Sequence, residues 1–227
     1  MHANANTNAP TNTPSDPRRP QGQQTLFRSF LAMLREQRWD DHRFYHHSRV
    51  NQSLHLISAI SFLVTYVLLF TQPVAAALFG WVFAMCIRQV GHFFFEPKGY
   101  DEVNQATHAY KEQVKVGFNL RRKVVLHLIW AVTPVILYFQ PTLFGLFSAP
   151  HADLAGFLRH LAQAWLGLAA AALLFRTIQL FFIRDVMTGL VWFTKILTDP
   201  VHDIILYHKA PVQLMRGELL EPRHQHG

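Results

Sequence analysis

Fourteen histidines stand in a chain of 227 residues of which only 15% are charged, and eleven of them fall outside the polar ends. The densest run is His42-Arg-Phe-Tyr-His46-His47-Ser-Arg-Val-Asn51-Gln-Ser-Leu-His55, four imidazoles just ahead of a long apolar block. In one unbroken helix His47, Asn51 and His55 share a face, whereas His46 and His55 lie half a turn apart and meet only across a break or another stretch of chain. Neutral imidazole is the commonest metal ligand at physiological pH, and Asn is able to orient a ligand or a water. An interfacial helix with His and Tyr rings at headgroup depth accounts for the same residues without a metal.

A second group is Arg88-Gln-Val-Gly91-His92-Phe-Phe-Phe-Glu96. Arg88, His92 and Glu96 recur at four-residue steps, so one helix face carries a cation, an imidazole and a carboxylate. In hydrocarbon such groups must face a bundle interior, water or a metal; the plain alternative is an Arg88–Glu96 pair at the interface. A third group, Asp199-Pro200-Val-His202-Asp203-Ile-Ile-Leu-Tyr207-His208, puts Asp199, Asp203 and Tyr207 on one face and leaves His202 and His208 off it. The Asp199-Pro200 dipeptide predicts a helix start there, with Asp199 as cap and Pro200 in the first turn. His2, His224 and His226 sit in polar tails, and His108, His127, His151 and His160 stand singly.

The elements that must position these groups are membrane spans. Half of the residues are hydrophobic, and they arrive in blocks of about 17 or more, the length a bilayer core about 30 Å thick requires. The blocks run over about 54–70, 74–95, 124–139 and 154–183. The short Thr71-Gln72-Pro73 link makes the first two an antiparallel hairpin and brings the first two chemical groups to one membrane face. Residues 187–197 are too few to cross, about 16 Å as a helix, and predict an extension or interfacial helix. Apolar residues at helical spacing over 26–34, among arginines, predict an amphipathic interfacial helix. The expected fold is therefore an all-α integral membrane bundle of about four transmembrane helices plus interfacial helices. A disordered tail is expected over 1–24, a membrane domain over 25–210 and a polar tail over 211–227.

The net charge of +7 is not a nucleic-acid signature, because the basic residues flank apolar spans where anionic headgroups and topology explain them. The lone Cys86 excludes an intrachain disulfide or a cysteine-based zinc site, and no glycine-rich phosphate loop supports nucleotide chemistry.

The first two groups, taken in order, resemble the membrane-embedded 2-hydroxy fatty acid dioxygenases of fatty acid α-oxidation, long filed as a domain of unknown function. Phe44-Tyr45-His46-His47, Asn51 and His55 look like that family's opening motif, and Gly80-Trp81 with Gly91-His92-Phe-Phe-Phe95-Glu96 looks like its later one. The match covers about residues 44–97. The resemblance implies an Fe2+ enzyme, with zinc as a possible substitute, that uses O2 to shorten a 2-hydroxy fatty acid by one carbon. It implies His46, His55 and His92 as ligands, His202 or His208 as a further ligand, and Asn51 and Glu96 as supporting groups. Arg88 is a candidate for the substrate carboxylate on chemical grounds, since guanidinium suits bidentate carboxylate recognition. Two other classes fit part of the pattern. A di-iron lipid hydroxylase or desaturase would use His42-x3-His46-His47 as one of several histidine boxes, and a non-enzymatic lipid-binding membrane protein would need only the spans.

Seven basic residues precede the first span, six lie between spans two and three, and none lies in 141–153. The positive-inside rule then predicts both termini in the cytoplasm, of a bacterial inner membrane or the endoplasmic reticulum. With an impermeant maleimide added from outside, Ser148→Cys is expected to label and Thr107→Cys to be protected; the reverse pattern would invert this topology.

Overall fold

The computed structural model describes residues 21–96, 98–102 and 104–221, so most of the expected N-terminal tail and residues 222–227 lie outside the described residues. The described residues form helices joined by loops, with no strand among them, in the order α1 (Gln21–Tyr45), α2 (Arg49–Thr71), α3 (Pro73–Phe79), α4 (Cys86–Val90), α5 (His108–Val114), α6 (Leu120–Phe139), α7 (Leu154–Ile183), α8 (Val186–Tyr207) and α9 (Ala210–Met215). Two π-helical turns, Gly80–Met85 and Gly91–Phe95, join α3 and α4 into one rod from Pro73 to Phe95.

Four helical stretches are long and apolar enough to cross a membrane: Arg49–Thr71, Pro73–Phe95, Leu120–Phe139 and Leu154–Ile183. They match the four blocks read from the sequence. Large apolar side chains on them point outward, among them Phe70, Phe139 and Phe182, as a lipid-facing surface requires.

Helix starts are set by small polar residues. Ser48, Thr107, Asn119, Asp153 and Asp185 each accept a hydrogen bond from the backbone N–H three residues on, satisfying a donor the helix itself leaves open. The spans are knitted at one point by aromatic packing. Trp130 and Trp165 are buried with Leu137 and Leu161, Trp165 Nε1 donates to the Trp130 carbonyl at 3.1 Å, and Trp81 stacks on Trp165 at 5.3 Å.

α8 is longer than its apolar core suggested. It continues unbroken through Asp199 and Pro200 to Tyr207, so the expected helix start at Asp199 is not there. Asp199 instead accepts from Lys195 Nζ at 2.6 Å, one turn earlier, and from Arg38 Nε at 3.2 Å. That ion pairing outweighs the missing amide of Pro200. α1 runs beside α8 in the same direction, with Met33 against Thr188, Arg38 against Thr198 and His42 against Tyr207. The amphipathic segment expected over 26–34 is thus part of a longer helix, and it is packed on α8.

The polar tail expected from 211 is also partly structured. α9 turns the chain back, and residues 219–221 lie antiparallel to 47–49, with Arg49 N–H donating to the Leu219 carbonyl at 3.0 Å and Glu221 N–H to the His47 carbonyl at 2.9 Å. The one polar side chain of 219–221, Glu221, bonds Gln52 at 2.9 Å and stands 3.2 Å from His42.

Lys195 is a useful probe of α8. It lies 2.5 Å from Asp41 and 2.6 Å from Asp199; burial alone would lower its pKa, but the two carboxylates outweigh this and hold it above the usual lysine range. Removing one partner of a buried pair costs about 3–5 kcal/mol. Asp41 keeps 36% of its side chain exposed, so Lys195→Met is expected to cost less, about 2–3 kcal/mol, read as a lowered melting temperature in detergent. An unchanged melting temperature would show that the pair does not hold α1 to α8.

Candidate metal centre

The site begins where α1 stops. Residues His46-His47-Ser48 are not helical, and Ser48 has an extended backbone at φ −78°, ψ 128°. Two side chains from the first turn of α2 hold this break: Asn51 Nδ2 donates to the Tyr45 carbonyl at 2.9 Å, and Gln52 Nε2 to the His46 carbonyl at 2.7 Å. Both residues are fully buried, at 0% and 1% exposure. They satisfy carbonyls that α1 would otherwise leave open at its end. The break is the condition under which His46 and His55 are able to meet, and their rings lie 4.2 Å apart.

His92 joins them from the second span. Its ring lies 4.8 Å from that of His55 and 5.8 Å from that of His46. One ligand nitrogen from each of the three falls within 4.8 Å of the others, and all three residues are buried. Two local devices allow this approach. Gly91 has no side chain where a Cβ would sit 2.3 Å from Asn51 Oδ1 and 3.3 Å from the His55 ring. The π-turns rotate the rod, and the Ala84 carbonyl in the first of them is met by Ser58 Oγ of α2 at 2.7 Å. Such turns recur at functional sites because they shift a helix face by a fraction of a turn.

Each imidazole has a polar neighbour at Nδ1. Tyr207 hydroxyl lies 3.1 Å from His46 Nδ1, Asp203 Oδ2 lies 3.7 Å from His55 Nδ1, and Glu96 bonds His92 Nδ1. His46 Nε2 and His55 Nε2 are buried and make no hydrogen bond. A carboxylate or hydroxyl behind one ring nitrogen fixes the tautomer and aims the other at a metal, and uncompensated buried nitrogens are otherwise costly. Burial first, and the His55 ring second, hold the His46 pKa well below the usual imidazole range, so its lone pair is available at neutral pH. Burial first, then Asp203, raise the Tyr207 hydroxyl well above its ordinary value, so it stays protonated, and with its own proton directed to His42 Nδ1 it can accept from His46 Nδ1–H. The three nitrogens fit a borderline divalent ion such as iron or zinc, with coordination positions left for exogenous groups.

Several expected site residues take other places. His208 is exposed and its ring bonds the Ile205 carbonyl, and His202 is only partly buried and is not one of the three grouped nitrogens. Neither is brought to the cluster, because the helix face that turns inward carries Asp199, Asp203 and Tyr207. Arg88 does not pair with Glu96; its Nη1 donates to Asp203 Oδ2 at 2.8 Å, so it steadies the carboxylate beside His55. Asn51 is a strut of the α1–α2 break. His42 and His47 also turn away, His42 to Tyr207 and Glu221 at 3.2 Å each and His47 toward Asp101 at 3.8 Å.

The cluster borders a cavity of about 350 Å³, whose lining includes His46, His92, Arg88 and Lys123 at one end and Trp130 and Leu173 further in. That volume lies in the range of small-molecule sites, about 300–1,000 Å³. Asp203 and Tyr207 were placed on one helix face from the sequence but given no part in the site, and the lysines of this cavity were not singled out. The signal for Lys123 is three successive cations, Arg121-Arg122-Lys123, in the first turn of α6 with no acid beside them, against the preference of a helix N-terminus for negative charge.

No family model, curated protein or solved structure matches this chain.

Close approach at Gly91 makes a direct test of the assembly. Gly91→Ala is expected to destabilise by about 1–3 kcal/mol, as overpacking does, while Gly167→Ala, where a Cβ meets nothing within 4 Å, is expected to be neutral or stabilising. Equal melting temperatures for the two variants would refute the packing described at Asn51 and His55.

Proposed function

We propose that this protein is a membrane-embedded Fe2+ dioxygenase that shortens 2-hydroxy fatty acids by one carbon, with both termini in the cytoplasm. The observation that carries the reading is the convergence of His46, His55 and His92, all buried, within 4.8 Å. The paired motifs of residues 44–97 supply the reaction class. The balance is one 2-hydroxy acid and one O2 giving the one-carbon-shorter acid, carbon dioxide and water, so O2 is the oxidant and no further reductant is required.

Iron held by these imidazoles would supply the O2 chemistry that side chains lack. The rest falls to the chain itself. Glu96 and Tyr207 orient two of the ligands, Asp203 with Arg88 stands behind the third, and the cavity keeps water from the reacting end of the acid. A single metal is favoured over the di-iron hydroxylase class because His42 and His47, which a second site would need, are directed to Glu221 and Asp101.

Protein purified without chelators is expected to hold about one iron per chain, or zinc taken up during expression, and His92→Ala to lose it. Iron-replete membranes given 2-hydroxypalmitate and O2 are expected to form the one-carbon-shorter acid, detected by mass spectrometry. No transition metal would reject the site, two irons per chain would favour the hydroxylase class, and no O2-dependent product across several chain lengths would reject the dioxygenase reading.

A further inference from the structure

The charged groups around the cavity do not balance. Arg88 is held by Asp203, and Arg38 and Lys195 share Asp41 and Asp199. Lys115 Nζ at 3.8 Å and Lys123 Nζ at 3.9 Å both face Glu96, and Asp41, whose field also reaches both, is already bound by Lys195. Both distances exceed a hydrogen bond, and Glu96 already bonds His92. One cation is therefore left over, on side chains only 7% and 13% exposed. Lys115 Nζ also sits 3.5 Å from the centre of the Tyr45 ring. Tyr45 lines the same cavity, is 3% exposed, and its hydroxyl makes no hydrogen bond among the described residues.

Two buried ammonium groups, one of them among the three cations in the first turn of α6, and an unused phenolic donor beside them are costly unless something negative joins them. The same cavity also has an apolar lining of Met85, Leu126, Trp130, Ala169, Ala172 and Leu173, from the second span, α6 and α7. The alanines of α7 leave room there where larger side chains would fill the space.

We propose that Lys115, Lys123 and Tyr45 form an anion-binding end of the cavity that takes the charged head of a single-chain amphiphile, its tail lying along α6 and α7. The anion chemistry is shared by a carboxylate and a phosphate monoester. This deepens the dioxygenase reading, on which it rests for the presence of a reacting acid, by moving head-group recognition from Arg88 to the lysine pair. Because both lysines share Glu96 with His92, a bound head is set beside the histidine cluster without displacing a ligand.

The test uses the full-length protein as purified, in a nonionic detergent and without O2, titrated with hexadecanoate, hexadecyl phosphate and hexadecanol. Tryptophan fluorescence reads binding, since Trp130 and Trp192 line the cavity. Wild type is expected to bind at least one anionic ligand tenfold or more tightly than the alcohol, and the stronger of the two identifies the head. Lys115→Gln with Lys123→Gln should abolish that preference, either single change should reduce it, and Lys123→Arg should retain it; if the double variant fails to fold, the single variants decide. Arg88→Gln should leave the preference in place. Equal binding of acid and alcohol, or a preference that survives the lysine changes and is lost with Arg88→Gln, overturns the proposal. Lysine-dependent binding without metal or product would sink the dioxygenase reading alone, and product formation without lysine-dependent binding would sink this one alone.

Discussion

The site hangs on a three-residue interruption between two helices. Had α1 run on into α2, His46 and His55 would sit on opposite sides of one rod. The chain breaks at His46-His47-Ser48, and the break persists because Asn51 and Gln52 spend their amide groups on the carbonyls of Tyr45 and His46. These two bonds form in a place sealed from water, where leaving either carbonyl open would cost about 1–3 kcal/mol. Gly91 then lets the second span close on Asn51, and the approach that one missing Cβ permits brings His92 to the other two rings.

The remaining polar groups at this end are arranged around that closure. Asp203 and Tyr207 come from α8 and Glu96 from the end of the second span, so two separate segments together place one oxygen behind each of the three imidazoles. Glu221 adds a further layer, bonding Gln52 at 2.9 Å and standing 3.2 Å from His42. Burial alone would raise the Glu221 pKa, but the hydrogen bond and charge of His42 outweigh it and leave it below the usual carboxylate value. Its share of stability is therefore present above the ordinary carboxylate range and is lost as acid carries the pH down through its folded value.

The spans and the hairpin were legible in the sequence because apolar blocks bounded by Pro and charge have one reading in a bilayer. His46, His55 and His92 were picked out by the resemblance of the paired motifs, with the break as the stated condition for the first two to meet. Three features were not. The Asp199-Pro200 pair has a local reading as a helix start, and only the distant residues Arg38, Asp41 and Lys195 decide against it. His202 and His208 are histidines like the others, but the inward face of α8 belongs to Asp203 and Tyr207. The return of residues 219–221 onto 47–49 joins segments far apart in sequence, and no periodicity encodes such a pairing.

All three grouped imidazoles lie on the first hairpin, before residue 97, whereas Asp203 and Tyr207 follow two further membrane crossings. During synthesis the ligands thus enter the bilayer before the groups that steady them exist. For that interval the pocket lacks the wall that α8 provides and is open to incoming ions. A metal held by these three rings would therefore be selected by the order of membrane insertion as well as by the chemistry of the finished site, since α8 would close over whichever ion had arrived early.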